Sequence, residues 1–503
     1  MQSNGNPTSE SGISTAVVDL HPPDQKHLPL RKRIYAIGTL RYTIFGLVIL
    51  FAWLLMADFV FSLMEYVIPK ILPLTLNEVG ASNATIGLLV VTVSSGMNLV
   101  LNPIISFRSD RYRSRWGRRR PYLIWSAPFI SIFLIITGYS ADLGHWLHEV
   151  LSGRFGNLSQ GSIILGTIAV ACVAFQFFNM FVRSVYYYLL NDVVPQAVIG
   201  RFYALFRIVD AAAGYLFNSY VLGHADNPLT RKWIYVTMGV LYLVAFILMC
   251  WNVKEGEYPP PTPLGNGSWY ERTLAAVRVY IRECFSVKLF WWMFLGNAFY
   301  RAAEVSIFTF QPLLAKDLGM TLGRAGQILG WATAVGVILY GPLGWLCDKI
   351  HAMNLVLISA VLTFILMLLS IFFTRGDTSF AILTLAWTVA WLGYISGIVP
   401  LTLAIFPRER YGQISSANAM VYAAAMMIAS YGGGLFIDRF GPTTLINQGV
   451  SGYIAVYWCG ALCAGIGLFF FILMYVEWQR RGGQEYYVPP DPSADFKGLR
   501  EPE

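Results

Sequence analysis

Seven ionisable side chains fall within stretches otherwise apolar enough to cross a membrane: Asp58, Glu65, Arg183, Arg207, Asp210, Arg301 and Glu304. A charge at the centre of a membrane helix costs at least about 2.5 kcal/mol, so keeping one points to use. Asp58 and Glu65 are seven residues apart and share a helix face. Arg207–Asp210 and Arg301–Glu304 have the i,i+3 spacing at which opposite charges neutralise each other within one helix. Asp58 has no such partner within a turn, and a buried lone carboxylate suits reversible protonation. It sits about 16 residues into its span, the depth at which Glu304 sits in its own. Glu65 falls near a span end, where water reaches it.

The uncharged polar groups on the same stretches suit a hydroxyl-bearing solute, which is held by carboxylates, amides and an aromatic platform. Gln176 and Asn179 lie above Tyr186, Tyr187 and Tyr188 in one span. Asn297 and Tyr300 occupy another, and Trp387, Trp391 and Tyr394 a third. No span carries a histidine, a nucleophile–base set or a metal motif, which disfavours a membrane enzyme. The six cysteines contain no CxxC pair, and His145 with His148 reads as surface, so neither metal nor cofactor is expected.

These residues are positioned by a chain whose solvent is mostly lipid. Of 503 residues 56% are hydrophobic and 13% charged, against about 25% charged in soluble proteins. Apolar runs of about 20 residues fall near 43–68, 83–107, 121–140, 161–190, 201–223 and 233–252. A second set falls near 289–314, 322–346, 353–374, 379–406, 412–437 and 452–476. The expected fold is an all-α membrane protein with twelve transmembrane helices in two pseudo-symmetric six-helix bundles, 35–252 and 289–482. A cytoplasmic linker, 253–288, joins them; its prolines at 259–261 and 263 precede Tyr270, Leu274, Val277, Ile281 and Phe285 at amphipathic spacing. Residues 1–34 and 483–503 read as disordered cytoplasmic tails.

Lysine and arginine set the orientation. With both termini cytoplasmic, inner segments hold 25 of them and outer loops 8, as the positive-inside rule requires. The net charge of +8 is thus a matter of orientation and not of nucleic-acid binding. Seven arginines crowd the loop 107–121. Within it Asp110, Arg111, Gly117, Arg118 and Arg119 form a charged hinge, and Asp348 and Lys349 form a fainter copy in the second half. Each half also places a proline five residues before a glycine after its fourth span, Pro195–Gly200 and Pro407–Gly412. Two such halves imply a site between them near mid-membrane and rocking of one on the other. The hinges would hold the cytoplasmic ends together when the opposite side is open, and lipid headgroups would compete for some of the arginines.

The twin hinges and twelve spans resemble the major facilitator superfamily. The run Asn102-Pro103-Ile104-Ile105, then Ser109-Asp110-Arg111 and Arg113 through Pro121, is similar to the glycoside–pentoside–hexuronide cation symporters, including melibiose permeases, and to sucrose transporters. The bundle-level likeness covers about 35–482 and the distinctive motif about 20 residues; 190–195 and Arg207 resemble a second, weaker signature. Where sodium-using members carry two carboxylates on the second helix, this chain has Asn98 and Asn102, and the family's fourth-helix carboxylate falls near Ser184. Neutral amides there weigh against sodium. The resemblance implies a monomeric transporter in the plasma (inner) membrane, carrying a sugar or glycoside with a proton. The alternatives are an uncoupled facilitator, a carrier of another amphipathic solute (lipid-like or drug-like) and, remotely, a polytopic membrane enzyme.

Overall fold

The computed structural model describes residues 33–155, 159–258, 278 and 280–490. Twelve long helices dominate it. In the first half they are α1 (Ile44–Glu78), α2 (Asn83–Arg111), α3 (Arg120–Gly138), α4 (Gln160–Val193), α5 (Ile199–Leu216) and α6 (Pro228–Asn252). In the second half they are α7 (Lys288–Asp317), α8 (Leu322–Ile350), α9 (Ala352–Phe373), α10 (Asp377–Ile405), α11 (Tyr411–Phe440) and α12 (Ala455–Arg480). Ten of these are long and apolar enough to cross a membrane by composition. The two others, α5 and α7, carry Arg207 with Asp210 and Arg301 with Glu304, which dilute their hydropathy. A short hairpin, Tyr35–Ile37 with Leu40–Tyr42, precedes α1 and turns at Gly38 with φ of 53°. A surface helix, Ser140–Phe155, follows α3. The expected amphipathic linker helix and both expected tails lie largely outside the described residues.

Helix α1 departs most from expectation. It runs to Glu78, ten residues past the expected end, straight through Pro69 and Pro73. Packing against other helices compensates for the amide hydrogens that the prolines lack. Lys70 is thereby drawn into the helix interior. In both halves the fourth span ends just before a proline, Pro195 or Pro407, a 3₁₀ turn follows, and the next helix opens with the paired glycine, Gly200 or Gly412, second.

The bonds between halves cluster at one face of the protein. There α2 starts against the end of α11, and α8 starts against the end of α5. Asp438 of α11 accepts hydrogen bonds from the Asn83 backbone (3.0 Å), the Asn83 side chain (2.8 Å) and the Ala84 backbone (2.9 Å). Asp226, at the end of the 3₁₀ turn that prolongs α5, accepts one from the Leu322 backbone (3.0 Å) and pairs with Lys316 at 3.6 Å. Each carboxylate thus meets the positive end of a helix from the other half. Ser82 and Thr321 cap these helices identically, each hydroxyl accepting at 3.2 Å from the third residue on.

The register matches across the pseudo-twofold. Four residues beyond Asn83 and Leu322 stand Gly87 and Gly326, where any side chain would strike the carbonyls of Ser430 and Asn218. Those carbonyls lie eight residues before Asp438 and Asp226 respectively. Lys70 and Gln311 tie α1 to α7 in the same layer, Nζ donating to Oε1 at 2.9 Å.

At the opposite face, which carries the arginine loop, charges pair within their own half. Arg118 forks onto Asp192 of α4 at 2.7 and 3.1 Å, and Arg119 bonds Asp192 at 3.0 Å as well as Ser109 and Asp110. Glu255, beyond α6, accepts from the backbone amides of Arg118 (2.9 Å), Arg119 (3.0 Å) and Arg120 (2.7 Å), capping the start of α3. Burial pushes this carboxyl above its ordinary range, while the amides of Arg120, Arg118 and Arg119 pull it back. In the second half Arg410 pairs with Glu283 at 2.5 Å. The bonds that join the halves thus form a seal at one face, whereas these ion pairs at the other lie within a half.

Candidate functional site

Below the seal lies a cavity of about 390 Å³, within the size range of small-molecule sites. Its wall is built by helical spacing. On α1, Phe61, Ser62, Glu65, Tyr66 and Pro69 make one stripe; on α4, Gln176, Asn179, Arg183 and Tyr187 make another. Ser94 and Ser95 of α2 and Asp210 of α5 complete the polar side. From the second half come Val305 and Phe308 of α7 and Met426 of α11, all apolar.

The centre of the polar wall is a linked trio. Glu65 Oε1 accepts from Asn179 Nδ2 at 2.7 Å, and Glu65 Oε2 lies 3.6 Å from Arg183 Nη1. The Asn179 amide nitrogen is thus committed to that carboxylate. The Asn179 Oδ1 is buried and has no hydrogen-bond partner among the described residues, in a residue only 4% exposed. Gln176 is likewise buried and makes no hydrogen bond among the described residues. Buried polar atoms in a native protein are nearly always satisfied, so this wall holds hydrogen-bonding capacity that the described residues leave unspent. Arg183 is 49% exposed although it sits mid-helix, so water reaches the trio.

Gln176, Asn179, Arg183 and Asp210 are therefore brought together, with Glu65 beside them and not at a solvated span end. Asp58 lies two turns from Glu65, about 10 Å along the axis, outside the cavity lining and 1% exposed. Its Oδ2 has no hydrogen-bond partner among the described residues, and Asp210 and Arg207 are the charges that act on it. Tyr186, next to it, spends its hydroxyl on the Leu54 carbonyl at 2.7 Å. Arg207 meets Asp210 only at 4.0 Å and is 71% exposed. Asn102 accepts from Tyr188 at 3.3 Å, and Asn98 is half-buried; neither lines the cavity.

The second-half candidates form a network of their own. Asn297 donates to Asn418 at 3.2 Å and accepts from Tyr394; Tyr300 pairs with Thr363 at 2.8 Å. Trp391 stacks on Tyr300 and Trp387, and Arg301 lies over Trp391 at 5.0 Å while pairing with Glu304 at 2.9 Å. Of the hinge residues, Arg118 and Arg119 hold Asp110 and Asp192, Arg111 lies over Phe107, and Gly117 supplies the φ of 99° that its turn requires. Lys349 lies over Trp345, one turn from its neighbour Asp348.

Sequence reasoning missed Lys70, which it assigned to an outer loop. The ammonium is 2% exposed, with Gln311 and the face of Phe308, 4.3 Å away, as its partners. The signal was present: Ile71, Leu72, Leu74 and Leu76 continue the apolar run past the lysine. Asp226, Asp438 and Glu255 were missed as well, since each acts on a helix start that is distant in the chain.

Comparison with known proteins follows this geometry. A family model described as Major Facilitator Superfamily matches residues 54–430. A sucrose transport protein of Arabidopsis thaliana is 30% identical over 123 residues, 24% of each chain. Another, from Oryza sativa subsp. japonica, is 40% identical over 47 residues, 9% of each. The matches thus span about a tenth to a quarter of these curated relatives. A bacterial homolog of the human lysosomal transporter Spinster, described as inward-facing and unoccupied, superposes with a TM-score of 0.63 at 13% identity, covering 88% of this chain and 99% of that one. A D-xylose-proton symporter superposes at 0.60 and 13% identity, covering 89% and 99%.

Proposed function

Because the chain belongs to the Major Facilitator Superfamily, and so is a membrane transporter, we propose that it carries a sugar or glycoside together with a proton by alternating access. The observation that carries this reading is the unfinished polar wall: the Asn179 oxygen without a donor, beside Glu65, Gln176 and Arg183 in a cavity under the seal. A sugar hydroxyl donates to Asn179 and Glu65 and accepts from Arg183. Asp58, buried with one oxygen unpartnered, takes the coupling proton. Arg207 and Asp210 of α5, the charges that act on it, make its protonation dependent on state. The short sucrose-transporter matches favour the solute class, and Asn98 and Asn102 in place of carboxylates favour a proton over sodium.

The arginine loop faces the cytoplasm, in line with the lysine and arginine count. The structure is then the inward-open state of a monomer in the plasma membrane. Its cycle breaks the seal and joins the halves at the arginine face, where the Asp110 and Asp348 hinges approach each other. The test is uptake into proteoliposomes across a panel of disaccharides, glycosides and hexuronides, with proton and sodium gradients imposed separately. Accumulation of a sugar driven by the proton gradient and abolished by a protonophore is the expected result. Uptake that equilibrates without accumulating makes it a facilitator. A second reading, carriage of another amphipathic solute, is favoured by the apolar wall of Val305, Phe308 and Met426. Failure of every sugar in the panel would leave that one standing.

A further inference from the structure

A second cavity, of about 270 Å³, lies away from the transport path at the start of α3. It is lined by Tyr112, Ser114, Arg115, Trp116, Ile124 and Trp125. Its cation is available: Arg115 is exposed and makes no hydrogen bond or ion pair among the described residues, whereas Arg118 and Arg119 are committed to Asp110 and Asp192. Ser114 fixes the cavity floor, its hydroxyl donating to the Gly117 carbonyl at 2.7 Å and accepting from the Trp116 backbone at 3.1 Å. The aromatic rim is exposed, Trp125 by 73%.

What lies beyond the rim identifies the occupant. Trp125, Phe129 and Ile132 are exposed at i, i+4 and i+7 of a membrane helix, one apolar stripe of the kind that acyl chains cover. The cavity sits at the arginine-loop end of that stripe, at the level where tryptophan and tyrosine collect in membrane interfaces. An unpaired guanidinium at the head of an apolar stripe matches a molecule with a phosphodiester at one end and a hydrocarbon chain at the other. We propose that this cavity is a binding site for an anionic phospholipid of the arginine-face leaflet. Its phosphate meets Arg115 between Tyr112 and Trp116, and one acyl chain lies along Trp125, Phe129 and Ile132. Arginine is suited to this, presenting a planar fork of donors to phosphate oxygens.

The site is tested on the purified full chain in detergent, by titrating phosphatidylglycerol, phosphatidylcholine and inorganic phosphate while following thermal unfolding. Quenching of tryptophan fluorescence by phosphatidylglycerol brominated along its chains is read in parallel. Phosphatidylglycerol is expected to raise the unfolding temperature and to bind at least tenfold more tightly than phosphatidylcholine. Arg115→Gln, which breaks no internal bond, should fold as the parent does and lose that discrimination, while Trp125→Ala should lower the quenching seen at low phosphatidylglycerol. Equal stabilisation by both lipids overturns the proposal, as does discrimination surviving in Arg115→Gln. Inorganic phosphate competing as well as the lipid overturns the assignment of a lipid and leaves an anion site.

Discussion

Removing the Asp438 carboxylate tests whether the carboxylate–helix contacts hold the seal. In Asp438→Ala, three hydrogen bonds to a charged acceptor disappear and the start of α2 loses its anion. A hydrogen bond to a charged group is worth about 1.5–3 kcal/mol, and a carboxylate at a helix start about 0.3–1 kcal/mol. Asp438 is exposed, so water replaces much of this, and about 2 kcal/mol is a fair net loss. At tenfold per 1.4 kcal/mol, the sealed state loses about thirtyfold in population relative to the state open on that face. Asp226→Ala removes one backbone bond and an ion pair, about 1.4 kcal/mol or tenfold. Separate helix pairs are involved, so the double variant should approach three-hundredfold. Ser95 lines the cavity, and a Ser95→Cys reporter can be labelled in proteoliposomes by an impermeant maleimide added at the sealed face. Labelling should quicken by those factors while the sealed state dominates in the parent. Asp142→Ala, which breaks an exposed pair with Lys232 inside the first half, should leave the rate unchanged. Equal labelling rates in the parent, Asp438→Ala, Asp226→Ala and the double variant, each shown to be folded, would refute the reasoning.

Three further outcomes are expected. Asp58→Asn should abolish accumulation driven by a proton gradient while exchange of solute across the membrane continues; intact accumulation in the proteoliposome assay removes Asp58 from coupling. Gln311→Leu should cost about 3–5 kcal/mol by leaving the Lys70 ammonium buried without its acceptor. Lys70→Met should lie within about 1 kcal/mol of the parent and rescue Gln311→Leu; chemical denaturation of the four proteins in a double-mutant cycle decides this, and additive losses would sink it. Glu255→Ala orphans three backbone amides at the start of α3, so a loss of about 2 kcal/mol should appear in thermal unfolding, with Glu255→Gln losing less.

The twelve-helix fold was legible because lipid makes apolar length and arginine placement strong signals. The paired Pro195–Gly200 and Pro407–Gly412 landmarks were legible too, because each repeats a local turn. What failed to show was whatever depends on contact between distant segments. Pro69 and Pro73 read as a break, since the packing that compensates for them is tertiary, and so Lys70 was placed outside. Gln176, Asn179, Arg183 and Asp210 could be picked out by polarity and helical spacing. Their linkage through Glu65 could not, because it depends on how α1 rotates against α4. Nor could sequence say that Asn297 bonds Asn418 and Tyr394, that Tyr300 bonds Thr363, or that Trp391 stacks on Tyr300.

That self-contained network has a consequence for how the halves divide the work. Asn297 bonds Asn418 and Tyr394, and Tyr300 bonds Thr363. The polar groups of these side chains are therefore already spent within the second half. In the first half, among the described residues, Asn179 keeps an oxygen without a partner and Gln176 makes no hydrogen bond, beside a Glu65 already held by Asn179 and Arg183. The hydrogen-bonding capacity left unspent at the cavity thus lies on the first-half side, so substitutions on α1 and α4 are the ones expected to alter which molecule is carried.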